Sequence, residues 1–446
     1  MGRYADDWSR CPEKFEGLSW DRFLQVRSID YKGDEVRLAR TFRWENLEPA
    51  LPQGIASIPL CELCDLGTLD FITGFEGYLL PEDARVYTKP PRVMADESSW
   101  GEICSGLISK GVCVLLPHSK VFRVKNQLLL NGLFGVSKDE FVGPWETFRL
   151  IMNMVPVNKL CRNLGGDIST LPSWAGMTPY LLEDEQVLVM SSEDIRCFFY
   201  LFEVPVLWRP FMAFNKPVPQ HVVGDGVYEP HYLASRVLPM GVLNSVSVAQ
   251  HVHRRIARMS LHGLQPSLGP QCELRKDRPF TVTQWVYRIY LDNFDALEQM
   301  DPLMAARVRG EVSAEVLALR GGYQHWGLPR HPTKAVQQET IAEIQGAVVD
   351  GVTGMVKPKP NKVLKYAELA WSLLQDGRAS QKQLQIVCGG LVYCSMFRRP
   401  LLGMLNKVWS FVVGLSSEPP VVRKELPQSV KFELCRFLCA LPLLRR

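Results

Sequence analysis

Apolar and polar residues alternate from Val286 to Leu291, and the run VYRIYLDNFDALE then places Asp292 and Asn293 where a strand should turn. Period-two alternation predicts a strand with one buried face, and Asn and Asp accept the backbone angles of a tight hairpin. A carboxylate at a strand end is also where a metal ligand would sit, so this stretch alone leaves both readings open. Strand-like runs begin near Val121 with KVFRVKNQLLLNGLFGV and continue in FRLIMNMVPVN and QVLVMS, the last leading into a predicted helix over SEDIRCFFYLF.

The period then changes. Val248, Val252, Ile256 and Met259 recur at helical spacing over Ser245 to Met259, while His253, Arg254, Arg255 and Arg258 take much of the opposite side. A basic flank is ordinarily a solvated face, and it is also what contact with nucleic acid requires. The stretch LQPSLGPQCELRKDRP reads as a turn-rich linker into the strand that ends at Asp292. A helix is predicted from Met304 to Leu319, and PKPNK marks a hinge before two more. Val363, Ala367, Ala370 and Leu374 stripe the first, which Gly377 closes in a C-terminal capping position. Ser380 and Gln383 open the second as a capping box, with Leu384, Val387, Leu391 and Cys394 as its stripe. Residues 1–118 are rich in Trp, Pro and Gly, hold no long periodic segment, and read as an irregular lobe and a candidate separate module.

The chain has 446 residues, of which 46% are hydrophobic and 22% charged, enough for two or three lobes with ample core. That mixture excludes disorder as the default. A formal net charge of +4 permits nucleic-acid contact through local patches without demanding it. Twelve cysteines without regular spacing argue for reduced thiols inside a cell. Cys61 and Cys64 form one CxxC pair, for which Cys104, Cys113 and His118 are candidate zinc partners; ordinary buried thiols are the plainer reading. The start MGRYADDWSR lacks the apolar centre of a signal peptide, and Asp6 stands where the myristoylation pattern wants Ser or Thr. Apolar stretches such as CFFYLFEVPVLW are too short and interrupted to span a bilayer. A cytoplasmic or nuclear protein without a membrane partner is the expectation.

Asp194 is the best-placed partner for Asp292, because it too follows an apolar strand-like run, VLVMS. Neighbouring strands would align the two carboxylates. Magnesium takes oxygen ligands and keeps several waters, so two Asp side chains and substrate phosphates suffice for paired ions that clamp attacking and leaving oxygens. For either Asp alone, a cap or turn is the plainer role.

FRLIMNMVPVN, MSSEDIRCFFYLF, LPMGVLNSVSVAQ and YLDN occur in that order, followed by HWGLPRHPTKA, IAEIQGAVVDG and the helices after KPKPNK. In this order the blocks resemble those of retroelement reverse transcriptases, nearest the long-terminal-repeat and tyrosine-recombinase retrotransposon groups, over roughly residues 121 to 412. The resemblance implies an α+β fold with right-hand polymerase architecture. Fingers would span 119–190, a palm of antiparallel sheet plus helices 191–356, and a helical thumb 357–415. An N-terminal region, 1–118, would precede them, and a tail, 416–446, too short for a ribonuclease H domain, would follow. It implies an RNA-directed DNA polymerase that extends a primer on an RNA or DNA template with deoxynucleoside triphosphates and two Mg2+ or Mn2+ ions.

Carried onto this sequence, the resemblance assigns the metals to Asp194 and Asp292, with Asn293 where the family has a second hairpin carboxylate. Lys138 and Arg149 would meet the triphosphate. Phe199 would stack beneath the sugar and exclude a 2′-hydroxyl, although the block holds more residues between Phe199 and Pro205 than is usual. Met240 and Gly241 would border the nascent base pair, Gln250 would support that wall, and Lys334 would protonate the leaving pyrophosphate. Each has a plainer rival: Phe199 as core, Gly241 as a turn, Lys138 and Lys334 as solvated surface. Asn293 removes one negative charge from the metal cluster, with Asp295 and Glu193 as candidate replacements, and Val155 stands where a second basic residue is usual in the fingers block. A polymerase fold that only binds nucleic acid is therefore the alternative, and an RNA-templated RNA polymerase is a third.

Overall fold

The computed structural model describes residues 39–441 apart from 178–179, 280–282, 332, 418 and 420–421. It is a mixed α+β chain with several small, mostly antiparallel sheets. Two long strands, β1 (Gly132–Val142) and β2 (Trp145–Asn153), form a hairpin. Their register runs from Gly132 opposite Asn153 to Ser137 opposite Phe148, shifts, and resumes at Phe141 opposite Glu146. Asp139 lies in the shifted part with φ +55, the local kink that an irregular ladder produces.

The central sheet is built on β3 (Val187–Asp194), whose residues are buried nearly throughout, as a strand covered on both faces must be. Helix α1 (Ser245–Leu264) follows, then β4 (Trp285–Tyr290), β5 (Asn293–Met300), helix α2 (Ala314–His325) and β6 (Val336–Glu339). The strand order is β4–β5–β3–β6, all pairs antiparallel. Alternation sends Tyr287, Ile289, Phe294 and Ala296 into one core with Val248, Val252 and Ile256 of α1 and Leu319 and Tyr323 of α2. Val286, Leu297, Leu188 and Met190 take the other face. There they pack on Ala342, Ile344, Ala347 and Val349 from the sheet of β7 (Ile341–Ile344), β8 (Ala347–Asp350) and β9 (Met355–Pro358).

A separate apolar core holds helices α3 (Pro360–Asp376), α4 (Gln381–Ser395), α5 (Asn406–Gly414) and α6 (Gln428–Ala440). Gly377 caps α3 with φ +64, and Ser380 and Gln383 form the reciprocal capping box of α4. No described helix is long and apolar enough to cross a membrane.

Four expectations change. The described part of residues 1–118 is not a module with its own core: Phe42, Trp44, Phe71 and Phe75 share one apolar cluster with Trp208, Phe211 and the central sheet. Strand Cys113–Pro117 also pairs with His231–Ser235. The helix predicted over Met304 to Leu319 is two, Pro302–Val308 and α2, because Gly310 turns left-handed (φ +80) and Ser313 caps a new start. SEDIRCFFYLF does not become a helix at its start: β3 runs through Asp194, and only Phe198–Leu201 coils, as a single 3-10 turn. The basic flank of α1 is partly interior. His253 and Arg254 are buried, and Arg254 forks onto Glu273 at 2.5 and 3.0 Å. As for the zinc candidates, Cys104 and Cys113 are buried thiols, His118 meets Arg123, and no cluster of three or more potential ligands forms among the described residues.

Candidate active site

The register between β4 and β5 places Tyr290 opposite Asn293, leaving Leu291 and Asp292 as a two-residue turn. Leu291 has φ +53, a left-handed angle that costs a non-glycine residue about 1–2 kcal/mol, so its surroundings must hold it. Gln250, fully buried on α1, accepts the Leu291 N–H at 2.8 Å and donates to the Ile289 carbonyl at 2.9 Å. His253, one turn further along α1, donates from Nδ1 to the Leu291 carbonyl at 2.5 Å. Burial pushes the His253 pKa down to about 4, so the ring is neutral. The Asp292 carbonyl accepts the Ile195 N–H at 2.8 Å. These bonds aim the Asp292 side chain.

Asp194 ends β3 directly opposite Asn293, which sets it beside Asp292. The His331 N–H donates to the Asp194 carbonyl at 2.8 Å, and Lys334 Nζ lies 3.4 Å from Asp194 Oδ2. Burial, and after it the charge of Asp194, push the Asp292 pKa up to about 6; Lys334 and Arg149 oppose the rise. Two carboxylates in one partly desolvated place repel each other, and a bound cation removes that repulsion.

Both carboxylates open onto a cleft of about 460 Å³ that Lys138, Arg149, Phe199, Met240 and Lys334 also line. Lys138 and Arg149 come from β1 and β2, so the hairpin faces the carboxylates with positive charge. Lys138 is paired with Glu140 at 3.0 Å. Phe199 is nearly buried, edge-on to Phe198, and so is core and cleft wall at once. Sequence reasoning passed over Arg196, Glu140, His331 and the pair Ala50 and Leu51, all of which line the cleft. Arg196 stands two residues beyond Asp194, the one local hint among them.

Three candidates, Gln250, Gly241 and Asn293, do not line the cleft. Gln250 does not line the cleft; its amide is consumed by the turn, and it orients Asp292 from behind. Gly241 also lies off the cleft wall, and its close approach is to protein: a Cβ there would come within 2.5 Å of the Met152 carbonyl oxygen at the end of β2. The proposed replacements for the missing carboxylate are committed as well. Glu193 points to the face opposite Asp194, fully buried between Arg320 at 2.6 Å and Arg330 at 3.2 Å. Asp295 lies two residues down the strand, roughly 7 Å back, bonded to Arg288 at 2.8 Å, Ser192 at 2.7 Å and Gln345 at 2.9 Å. Asn293 itself turns its amide nitrogen to Asp292 Oδ1 at 3.0 Å.

The donor set is two carboxylates and one neighbouring amide. It fits a hard divalent ion that keeps waters and shares ligation with a phosphate-bearing substrate, and it does not fit a closed zinc site.

No protein-family model matches the chain, and no curated protein matches it. Among solved structures, the foamy viral protease-reverse transcriptase in complex with RNA/DNA hybrid is similar over 80% of this chain and 38% of that one, with 13% identity and a TM-score of 0.46. The foamy viral protease-reverse transcriptase dRH in complex with double-stranded DNA is similar over 84% of this chain and 56% of that one, with 13% identity and a TM-score of 0.42. The chain thus spans between 38% and 56% of the length of these two proteins.

Proposed function

We propose that this chain is a polymerase of reverse transcriptase type, which adds deoxynucleotides to a primer on an RNA or DNA template. Residues 119–190 would act as fingers, 191–356 as palm and 357–415 as thumb, with residues 42–118 sharing their apolar core and contributing Ala50 and Leu51 to the cleft wall. The observation that carries the reading is the meeting of Asp194 and Asp292 at one cleft whose far wall presents Lys138 and Arg149. Paired Mg2+ or Mn2+ ions at the two carboxylates would supply charge stabilisation for in-line phosphoryl transfer. The protein's own part is placement. Lys138, Arg149 and Arg196 bind phosphate oxygens, for which a guanidinium fork and a compact ammonium are suited. Phe199 and Met240 bound the sugar and base, and Lys334, 3.4 Å from Asp194 Oδ2, is placed to protonate the leaving pyrophosphate.

The distribution of charge supports a nucleic-acid partner. Residues 357–446 contain fifteen Lys and Arg against five Asp and Glu, in a chain that totals 51 and 47. The remainder is therefore net acidic, and the helical lobe is the basic one, as a surface that follows a phosphate backbone must be.

Purified protein with primed RNA, deoxynucleotides and Mg2+ or Mn2+ should extend the primer, and Asp292→Ala should abolish extension. Extension that survives Asp292→Ala overturns the reading. The second reading, a fold that binds nucleic acid without synthesis, draws on Asn293, whose amide nitrogen faces Asp292 where a third carboxylate would complete the cluster. It predicts salt-sensitive duplex binding with no extension, and recovery of extension in Asn293→Asp would locate the defect at that one side chain.

A further inference from the structure

We propose that Tyr323 and His253 form a buried positioning relay that holds the Leu291–Asp292 turn in its left-handed form and so sets the aim of the Asp292 carboxylate. The inference rests on the polymerase reading for its activity readout only. Its geometry is independent of that reading.

The Leu291 carbonyl can only accept, so the 2.5 Å contact with His253 Nδ1 requires the ring's proton on that nitrogen. A neutral imidazole then has a bare Nε2. The Tyr323 hydroxyl lies 2.6 Å from Nε2 and is placed to donate to it. Tyr323 thus selects the tautomer, and the tautomer selects the turn. Second partners of a ligand-bearing element act this way in metal sites generally.

The two helices are built to bring these groups together. Tyr323 and His253 are both fully buried, with ring centroids 5.6 Å apart, and Phe198 packs on the His253 ring from the cleft side at 5.6 Å. Gly322, the residue before Tyr323, lets α2 press onto α1: a Cβ added there would collide with the Ser260 hydroxyl. A phenylalanine at 323 would fill the same space. What only tyrosine supplies is the proton donor.

The test is a set of substitutions read three ways. Asn places an amide nitrogen near where His has Nδ1, so His253→Asn retains a donor to the Leu291 carbonyl and has no tautomer to select. Tyr323→Phe should lower kcat for single-nucleotide addition about tenfold, the scale of one buried hydrogen bond lost from the support of Asp292. KM for the nucleotide and Kd for primer-template should stay within about twofold. In the His253→Asn background the same Tyr323→Phe change should have no further effect, as expected of two members of one hydrogen-bond network, and the tautomer readout below separates this from coupling through packing.

Two readouts need no activity. Nitrogen NMR of the His253 ring should show the Nδ1–H form in the parent and a mixture in Tyr323→Phe. Mn2+ binding followed by electron paramagnetic resonance should weaken several-fold in Tyr323→Phe. A parent that binds Mn2+ and shows the single tautomer but extends no primer removes the polymerase reading and leaves the relay standing. A Tyr323→Phe protein with parental tautomer and parental Mn2+ affinity, or effects that simply add in the double variant, overturns the relay.

Discussion

The central sheet and the helical lobe are stabilised by opposite means. In the lobe of α3 to α6 the core is Leu, Val and Ala with a few Cys and aromatic residues, and the polar work is done at helix ends by Gly377 and Ser380. Around the sheet, by contrast, Glu193, Gln250, His253, Arg288 and Asp295 are buried and each bonded to a partner, the terminal nitrogens of Arg288 meeting only the face of Trp174. An apolar core tolerates exchange of similar shapes, whereas a buried polar network is satisfied in one arrangement and costly in others. The region that holds the two cleft carboxylates has the arrangement that permits only one answer.

The largest expected effect tests that contrast directly. Arg288 and Asp295 are both fully buried and joined at 2.8 Å. Arg288→Ala leaves the buried Asp295 carboxylate with its Ser192 and Gln345 hydrogen bonds and no countercharge, and breaking a buried pair costs about 3–5 kcal/mol. Arg288→Met with Asp295→Leu should recover most of that loss, because apolar replacement of a whole buried pair is close to neutral. Leu391→Ala in the helical lobe should cost about 2–5 kcal/mol through its cavity, and no polar double substitution can rescue it. Urea unfolding of the four proteins checks this. Failure of the Met and Leu pair to recover stability would mean that the ion pair contributes more than mutual satisfaction.

A second test uses proton linkage. The Asp292 carboxyl has a folded pKa of about 6 against an ordinary 3.8. Between those pH values the folded state binds more protons than the unfolded one, so stability falls as pH rises through that window. Above pH 6 the ionised side chain should cost the metal-free protein about 3 kcal/mol. Asp292→Asn should therefore stabilise the metal-free protein by about that amount at neutral pH, with the gain vanishing below about pH 4. Added Mg2+ should reverse the order at neutral pH, because only the parent retains both carboxylates. A flat difference between parent and variant from pH 4 to 8 would contradict the burial and repulsion assigned to this turn.

The same contrast explains what sequence reasoning reached. Stripes at helical spacing and caps such as Gly377 and Ser380 are local signals, and the helices they mark are present. Asp194 and Asp292 also stood out locally, each as a carboxylate at the end of an alternating or apolar strand. The rest is held by long-range partners. Gln250 bonds a residue 41 positions away and Glu193 one 127 positions away, and no pattern near either side chain announces that. Glu193 and Asp295 therefore looked available for a metal when their Arg partners had already claimed them. The aromatic residues before position 118 have the same origin: Phe71 meets Trp208, edge-on at 5.4 Å, and without a period of their own they read as irregular chain. The break at Gly310 was visible as a glycine, but only its positive φ makes it a terminus.

The smallest effect belongs to the lobe whose signals are local. Ser380 accepts the Gln383 N–H at 3.3 Å while the Gln383 side chain accepts the Ser380 N–H at 2.8 Å. Ser380→Ala should cost about 1 kcal/mol, and the cost should stay where it arises. Most apolar residues of the helical lobe form a core of their own, and Phe397 and Tyr393 join the cluster under the β7–β9 sheet, so calorimetry should show the transition of the lobe moving down by a few degrees while the other keeps its midpoint. Mn2+ affinity should not change, because no residue of α4 lines the cleft. The links able to spoil that independence are Phe397, buried with the β7–β9 sheet, and Tyr393 of α4, whose hydroxyl donates to the Gly346 carbonyl in the turn between β7 and β8, next to the Gln345 that bonds Asp295. If Ser380→Ala shifts both transitions together, these links make the two regions one cooperative unit, and Tyr393→Phe combined with Phe397→Ala should weaken the coupling more than Tyr393→Phe alone.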